Sequence, residues 1–382
     1  MIYLDHNATT PVDARVLEEM LPWFSEKFGN AASNTHSYGW QAAEAVKIAR
    51  EKIADFVGAE PAEIVFTSGA TESVNTILKG VFQKYTSKGN HLIIAATEHK
   101  AVLDCCEYLE KTGAEITSVP VDASGKIDFD FLEKSIRPET VLMAVMMANN
   151  ETGVIQDIRQ ISTLAKENGV LFFTDATQAI GKIPVNVQSE GIDLMAFSGH
   201  KIYGPKGVGV MYVRRKNPRV SLSPLLHGGG HENGFRSGTL NVPGIVGMGK
   251  AVEIFSNEML TENIRIQTLR DHLQTELLQL SVNGKQPIVN GLSSARIPNS
   301  LSIYFPGFTA EKIISGIPQV AFSTGSACSS ALKEPSHVLM AMGLVEKDAF
   351  ASIRLSLGRG TTAGEIEKTI HLFREYFEKS QS

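Results

Sequence analysis

Cysteine is scarce: the 382-residue chain has three, and two of them, Cys105 and Cys106, are neighbours. That excludes a disulfide framework, and no metal-type His/Cys spacing occurs. Charge of one sign is missing as well. The chain has 36 Lys plus Arg against 41 Asp plus Glu, a formal net of -5, and its basic residues form no stripe. An electrostatic footprint for nucleic acid is therefore absent. Long apolar runs are lacking too. VLMAVMMA at 141–148 is among the longest, far too short to span a bilayer. The opening MIYLDHNATTP has no charged segment followed by an apolar one, so it does not read as a signal peptide. No internal repeat or low-complexity segment is visible. What these absences leave is a soluble, cytoplasmic protein of a reducing compartment, with no nucleic-acid or membrane partner. The length favours two domains over one compact core.

What is present is alternation. Short runs rich in Ile, Val and Phe occur at Glu63–Thr67, His91–Ala95, Glu115–Val119, Thr140–Met146, Val170–Thr174, Asp193–Ser198 and Val208–Val213. Helical patterns such as Thr71–Lys84 and Asp157–Asn168 separate several of them. Continuous apolar strands alternating with helices predict an α/β fold with a mostly parallel sheet covered on both faces. A long helical stretch runs from about Val242 to Leu280. Shorter elements follow at Ser300–Phe305, Ala310–Ile317, Val320–Ser323 and Ser352–Ser356, and Thr362-x-x-Glu365 is a capping box for a last helix. The expected division is a large domain over 13–260 and a smaller α+β domain over 1–12 and 261–382.

In open α/β sheets, ligands gather where strands end. After EIVF comes TSGATES, a Ser-Gly turn with Thr71 at a helix start. Such a start suits an anion such as phosphate, although plain capping explains it too. After VLFFT comes DATQ, placing Asp175 directly behind a strand, where a helix N-cap is the bland alternative. After DLMAF comes SGHKIYGPKG, with Ser198, His200 and Lys201. An anion-binding turn, an acid and a lysine at three strand ends are the parts that hold pyridoxal phosphate. Its aldehyde needs a lysine amine, its ring nitrogen a carboxylate, and its phosphate hydroxyls and helix N–H groups.

The motifs YLDHNATTP, FGNAAS, FTSGATES, TEHKAV, ANNETGVIQD, DATQ, SGHKIYGPKG, GGGHENGFRSGT, STGSACSS and SIRLSLGR stand in this order along the chain. In this order they resemble the pyridoxal-phosphate cysteine desulfurases of the NifS/IscS type, group I of the class V aminotransferase family. The resemblance spans residue 3 to about residue 377. It implies fold type I of the pyridoxal enzymes and a homodimer. It also implies conversion of L-cysteine to L-alanine, with sulfur left on the enzyme as a persulfide and passed to acceptor proteins such as an iron–sulfur scaffold. Another fold-type-I pyridoxal enzyme, such as an aminotransferase, is the alternative.

Carried over residue by residue, the resemblance implies Lys201 as the Schiff-base lysine and carrier of the substrate α-proton, and Asp175 as partner of the ring nitrogen. Gln178 and Asn150 correspond to contacts of the ring's phenolic oxygen. His99 corresponds to the residue stacked on the ring and a candidate acid/base. Ala70, Thr71, Ser198 and His200 fall at the phosphate, and Thr239 is the phosphate contact from the other subunit. Arg354 and Asn30 correspond to ligands of the substrate carboxylate, with Asn150 beside them. Cys328 in GSACSS matches the nucleophile. No resident metal is implied, although Cys328 is also a candidate transient iron–sulfur ligand.

The residues by themselves leave some alternatives open. His99 could cap a helix, and Asn150 could serve the turn of NNETG. Arg354 points away from Ile353 and Leu355, toward solvent or cleft. Cys105 and Cys106 read as packing residues of a helix. For Cys328 the physical logic is stronger. A sulfur carrier needs a thiolate that reaches the substrate and then the surface, and a loop of Ser, Gly and Ala bends freely enough to serve both. The chain departs from the pattern at Ala31, where the family has Pro beside Asn30, and at His6. It also ends at Ser382, where the housekeeping branch carries a longer tail that helps hold the scaffold protein.

Overall fold

The computed structural model describes residues 1–324 and 334–381. Its strands, in chain order, are β1 (Ile2–Tyr3), β2 (Ile64–Thr67), β3 (His91–Ala95), β4 (Glu115–Val119), β5 (Thr140–Ala144), β6 (Leu171–Asp175), β7 (Leu194–Ser198), β8 (Gly209–Val213), β9 (Ile288–Val289), β10 (Ser300–Tyr304), β11 (Val320–Ala321), β12 (Ser323–Thr324) and β13 (Ser352–Ser356).

The large sheet has seven strands in the order β2-β8-β7-β6-β5-β3-β4. β8 runs antiparallel to both neighbours, and the remaining pairings are parallel. The link from β7 to β8 is too short for a crossover, so the chain must return antiparallel. Along β2, β3 and β5 to β8 every residue is buried, and only the edge strand β4 shows exposed positions. Alternate residues feed two cores. Phe66, Ile93, Met143, Phe172 and Phe197 pack under helices Ser37–Val57 and Val242–Leu278. Val65, Leu92, Leu142, Phe173 and Met211 pack under helices Ala70–Lys84 and Lys100–Glu110. Both faces are covered, which is why these strands read as unbroken apolar runs.

The second sheet is antiparallel, in the order β12-β13-β10-β9. Leu301, Ile303, Ile353 and Leu355 from it meet Phe373 and Phe377 of helix Ala363–Gln381 in a third core. Helix Val242–Leu278 serves both ends of the molecule. Val242 to Phe255 contribute to the large core, and Ile266, Leu273 and Leu277 to the third. No helix among the described residues is long and apolar enough to cross a membrane.

Two elements differ from expectation. The single strand expected over 320–323 is two, because Val320 pairs with Ile2 whereas Ser323 pairs with Arg354 in the other sheet. Likewise, β5 ends at Ala144 rather than Met146. Beyond it the backbone finds other partners, Met146 N donating to Glu98 Oε1 at 2.6 Å and Met147 N to Asp175 O at 3.0 Å.

Candidate active site

Because β2 and β7 point the same way as β6, β5 and β3, their C-terminal ends share one edge of the sheet. A cavity of about 650 Å³ opens there. The candidates Ala70, Thr71, His99, Asn150, Asp175, Gln178, Ser198, His200, Lys201 and Arg354 all line it.

At one corner the chain leaves β2 through Ser68 and Gly69 into helix Ala70–Lys84. Gly69 has φ 157°, and a Cβ on Gly209 would stand 2.5 Å from Gly69 Cα. This close approach of two backbones requires glycine. The first helical turn, with its N–H groups and dipole, suits an anion. Its Glu72 is tied down by Ser68 N at 2.9 Å and by Arg236 Nε at 2.9 Å. Ser198 ends β7, and His200 shares a hydrogen bond with Thr9 through Nδ1 at 3.1 Å. Burial, with Lys201 and Lys206 nearby, pushes His200 down to about 4. It is thus neutral at pH 7 and can still donate one N–H.

Lys201 closes the short turn Gly199–Lys201 behind β7. Its Nζ donates to the carbonyl oxygens of Asn7 at 2.6 Å and Ala8 at 2.5 Å. Asp175 is the last residue of β6, buried, and its Oδ1 accepts from Thr177 N at 2.9 Å. Gln178 Nε2 donates to Asn7 O at 2.9 Å. His99 caps helix Lys100–Glu110, Nδ1 accepting from Ala101 N at 3.1 Å. With Nδ1 as the acceptor, the ring N–H lies on Nε2.

The turn of NNETG is made by Asn149, whose Oδ1 accepts from Glu151 N and Thr152 N. Asn150 next to it lines the cavity. Arg354, left open between solvent and cleft, is 2% exposed. Its Nη1 donates to Asn150 O at 2.9 Å, and its Nη2 to Asp5 Oδ1 and Ser323 Oγ, each at 2.9 Å. Asn30 and Thr239 are exposed and do not line this cavity. Asn30 Oδ1 accepts from Ala32 N at 2.9 Å. Cys328 lies outside the described residues. On either side of it in sequence, Ser323 meets Arg354, while Glu334 and His337 line the cavity. Cys105 and Cys106 are buried in the core beneath helix Lys100–Glu110.

Several polar residues at the site escaped sequence reasoning. Asn7, in the quoted LDHNATT stretch, meets Lys201 and Gln178. Lys182 follows Gln178 by one helical-type step, the only signal it offered. Glu98, 0% exposed, sits under the His99 turn, and burial raises its carboxyl well above the usual range. Burial also raises Glu151, whose Oε2 accepts from Ser336 Oγ at 2.5 Å.

An amine, a buried carboxylate and a helix-start anion corner in one cavity are the donor set that pyridoxal phosphate requires. The comparisons with known proteins agree with that chemistry. Residues 2–369 match the model for aminotransferase class-V. The chain belongs to the class-V aminotransferase family. It is 50% identical over 378 residues to a cysteine desulfurase IscS of Anaeromyxobacter dehalogenans (strain 2CP-C), covering 99% of this chain and 93% of that one. A cysteine desulfurase IscS of Serratia proteamaculans (strain 568) is 49% identical over 376 residues, covering 98% and 92%. Among solved structures, a NifS-like protein superposes with a TM-score of 0.91 at 38% identity, covering 99% of both chains. SspA in complex with cysteine gives 0.82 at 39%, covering 94% of this chain and 99% of that one. The cysteine desulfurases of the class-V family are pyridoxal-phosphate enzymes, and the residues lining this cavity fit that cofactor.

Proposed function

We propose that this chain is a cysteine desulfurase that converts L-cysteine to L-alanine and holds the sulfur as a persulfide on Cys328. The observation that carries the reading is the meeting of Lys201, Asp175 and Arg354 around one cavity. The names and near-complete coverage of the relatives support it.

Pyridoxal phosphate, when bound, supplies an aldehyde that captures amines and a ring that accepts an electron pair. In this reading Lys201 Nζ would hold the aldehyde, and the same amine would move the substrate α-proton. Asp175 would pair with the ring nitrogen, and Gln178 and Asn150 would serve the phenolic oxygen. The first turn at Ala70 and Thr71, with Ser198 and His200, would hold the phosphate, and Thr239 would add a contact from the second copy of a homodimer. His99 would contact the ring and offer Nε2 for proton transfer. Arg354, with Asn30 and Asn150, binds the substrate carboxylate.

The Cys328 thiolate attacks the substrate sulfur. An S–S bond forms, the C–S bond breaks, and its electron pair stays with the substrate carbon, which ends protonated. L-Cysteine and the Cys328 thiol thereby become L-alanine and the Cys328 persulfide. A sulfur-acceptor protein then takes the outer sulfur, for iron–sulfur cluster assembly or tRNA thiolation, in the cytoplasm. Residues 13–260 form the cofactor domain, and 1–12 with 261–382 the small domain.

The test is to supply L-cysteine, a 2-oxo acid and a reductant to protein loaded with pyridoxal phosphate. Alanine and sulfide in equal amounts are expected. Consumption of a 2-oxo acid with no sulfide would overturn the reading in favour of an aminotransferase.

A further inference from the structure

Lys182 stands behind the cavity wall and does not line it. The residue is half-buried, with its amine turned inward. Its Nζ donates to Gln178 Oε1 and, at 3.2 Å, to Asn7 Oδ1. Asn7 is itself fixed: Nδ2 donates to Ser300 Oγ at 3.1 Å, and Oδ1 also accepts from Asn299 Nδ2 at 3.0 Å. Its main-chain oxygen receives both Lys201 Nζ and Gln178 Nε2. Lys182, Asn7, Gln178 and Lys201 thus form one connected network beside the reacting amine.

The network determines which way the Gln178 amide faces. An amide has an oxygen that only accepts and a nitrogen that only donates. Asn7 O can only accept, so it takes Nε2–H. The Lys182 amine already spends a donor on Asn7 Oδ1 and donates again to Oε1. Turned over, the amide would press its oxygen against the oxygen of Asn7. The observed orientation leaves the second Nε2–H of Gln178 for the cavity, which Gln178 lines.

We propose that Lys182 is a positioning residue that fixes the Gln178 amide, so that an N–H donor rather than an oxygen faces the phenolic oxygen of pyridoxal phosphate. The proposal rests on the cofactor reading above. Burial lowers Lys182 well below the usual lysine range, with the cations Lys201 and Arg354 adding to it.

The test uses protein loaded with pyridoxal phosphate, read by the position of its visible absorption band and by the cofactor concentration that half-saturates the stripped protein. Lys182→Met is expected to move the band and weaken binding about tenfold, the scale of one lost hydrogen bond. Gln178→Leu should move the band in the same direction, and the double variant should match Gln178→Leu alone. A wild-type band and affinity in Lys182→Met, or additive shifts in the double variant, would overturn the proposal. Should Lys182→Met be insoluble, Lys182→Gln is read in the Gln178→Leu background. No added shift supports the proposal, and an added shift overturns it. Failure of the wild type to take up pyridoxal phosphate would instead overturn the cofactor reading itself.

Discussion

Lys201 Nζ donates to the carbonyl oxygen of Asn7 at 2.6 Å, joining residues 194 positions apart in sequence. The N-terminal segment thereby forms part of the cavity wall and holds the amine in place before any aldehyde reaches it.

Lys201→Ala should lower desulfurase turnover by at least about 10³-fold, since both the covalent link and the α-proton carrier are lost. Pyridoxal phosphate should still bind, through Asp175 and the phosphate corner, but without a covalent bond. Borohydride reduction followed by peptide mapping should find cofactor on residue 201 of the wild type and none in the variant. Full activity in the variant would remove Lys201 from the mechanism.

Cys328→Ala should keep cofactor binding and its visible band while alanine production stops. In the wild type, L-cysteine without reductant should add one sulfur mass to the peptide containing Cys328. Because the thiolate attacks, that labelling rate should rise with pH through the thiol's ionisation. Sulfur mapped to Cys105 or Cys106, with Cys328→Ala fully active, would overturn the assignment.

Cys105 and Cys106 should be inert in the folded protein. Burial pushes Cys105 up to about 11 and Cys106 further still. At pH 8 the thiolate fraction of Cys105 is then on the order of 10⁻³. Iodoacetamide at pH 8 should leave both unlabelled until denaturant is added. Rapid native labelling of either would contradict the burial.

Two histidines should sensitise the protein to acid. His91 is buried between Thr140 Oγ1 at 2.7 Å and Thr117 Oγ1 at 2.8 Å, and burial lowers it to about 4. His200 is lowered equally far. The unfolded chain binds these protons near pH 6.5 and the folded chain does not. Stability therefore falls as pH drops from about 6.5 toward 4, and the loss levels off below that. His91→Gln should show a smaller drop in urea midpoint between pH 7 and pH 5 than the wild type. An unchanged drop would exclude His91 as a source.

Much of this arrangement is legible in the chain alone, for a local reason. A strand buried on both faces is an unbroken apolar run, and the polar residue that ends it marks the sheet edge. Asp175 after VLFFT, Lys201 after DLMAF and Ser68 after EIVF are found that way, and a parallel sheet brings such ends to one side. Helix Val242–Leu278 and the Thr362–Glu365 cap are equally local patterns. The tertiary structure decided what depends on contacts between distant segments. It brought Asn7 to Lys201 and set Lys182 against Gln178. It turned Arg354 from an undecided strand position into a buried one facing the cavity, held by Asp5 and the Asn150 carbonyl. It also divided 320–324 between two sheets, because β1 and β13 each claim one half. Periodicity shows which face a residue takes on its own element. Which partner meets that face depends on how the elements pack, and that is a property of the whole chain.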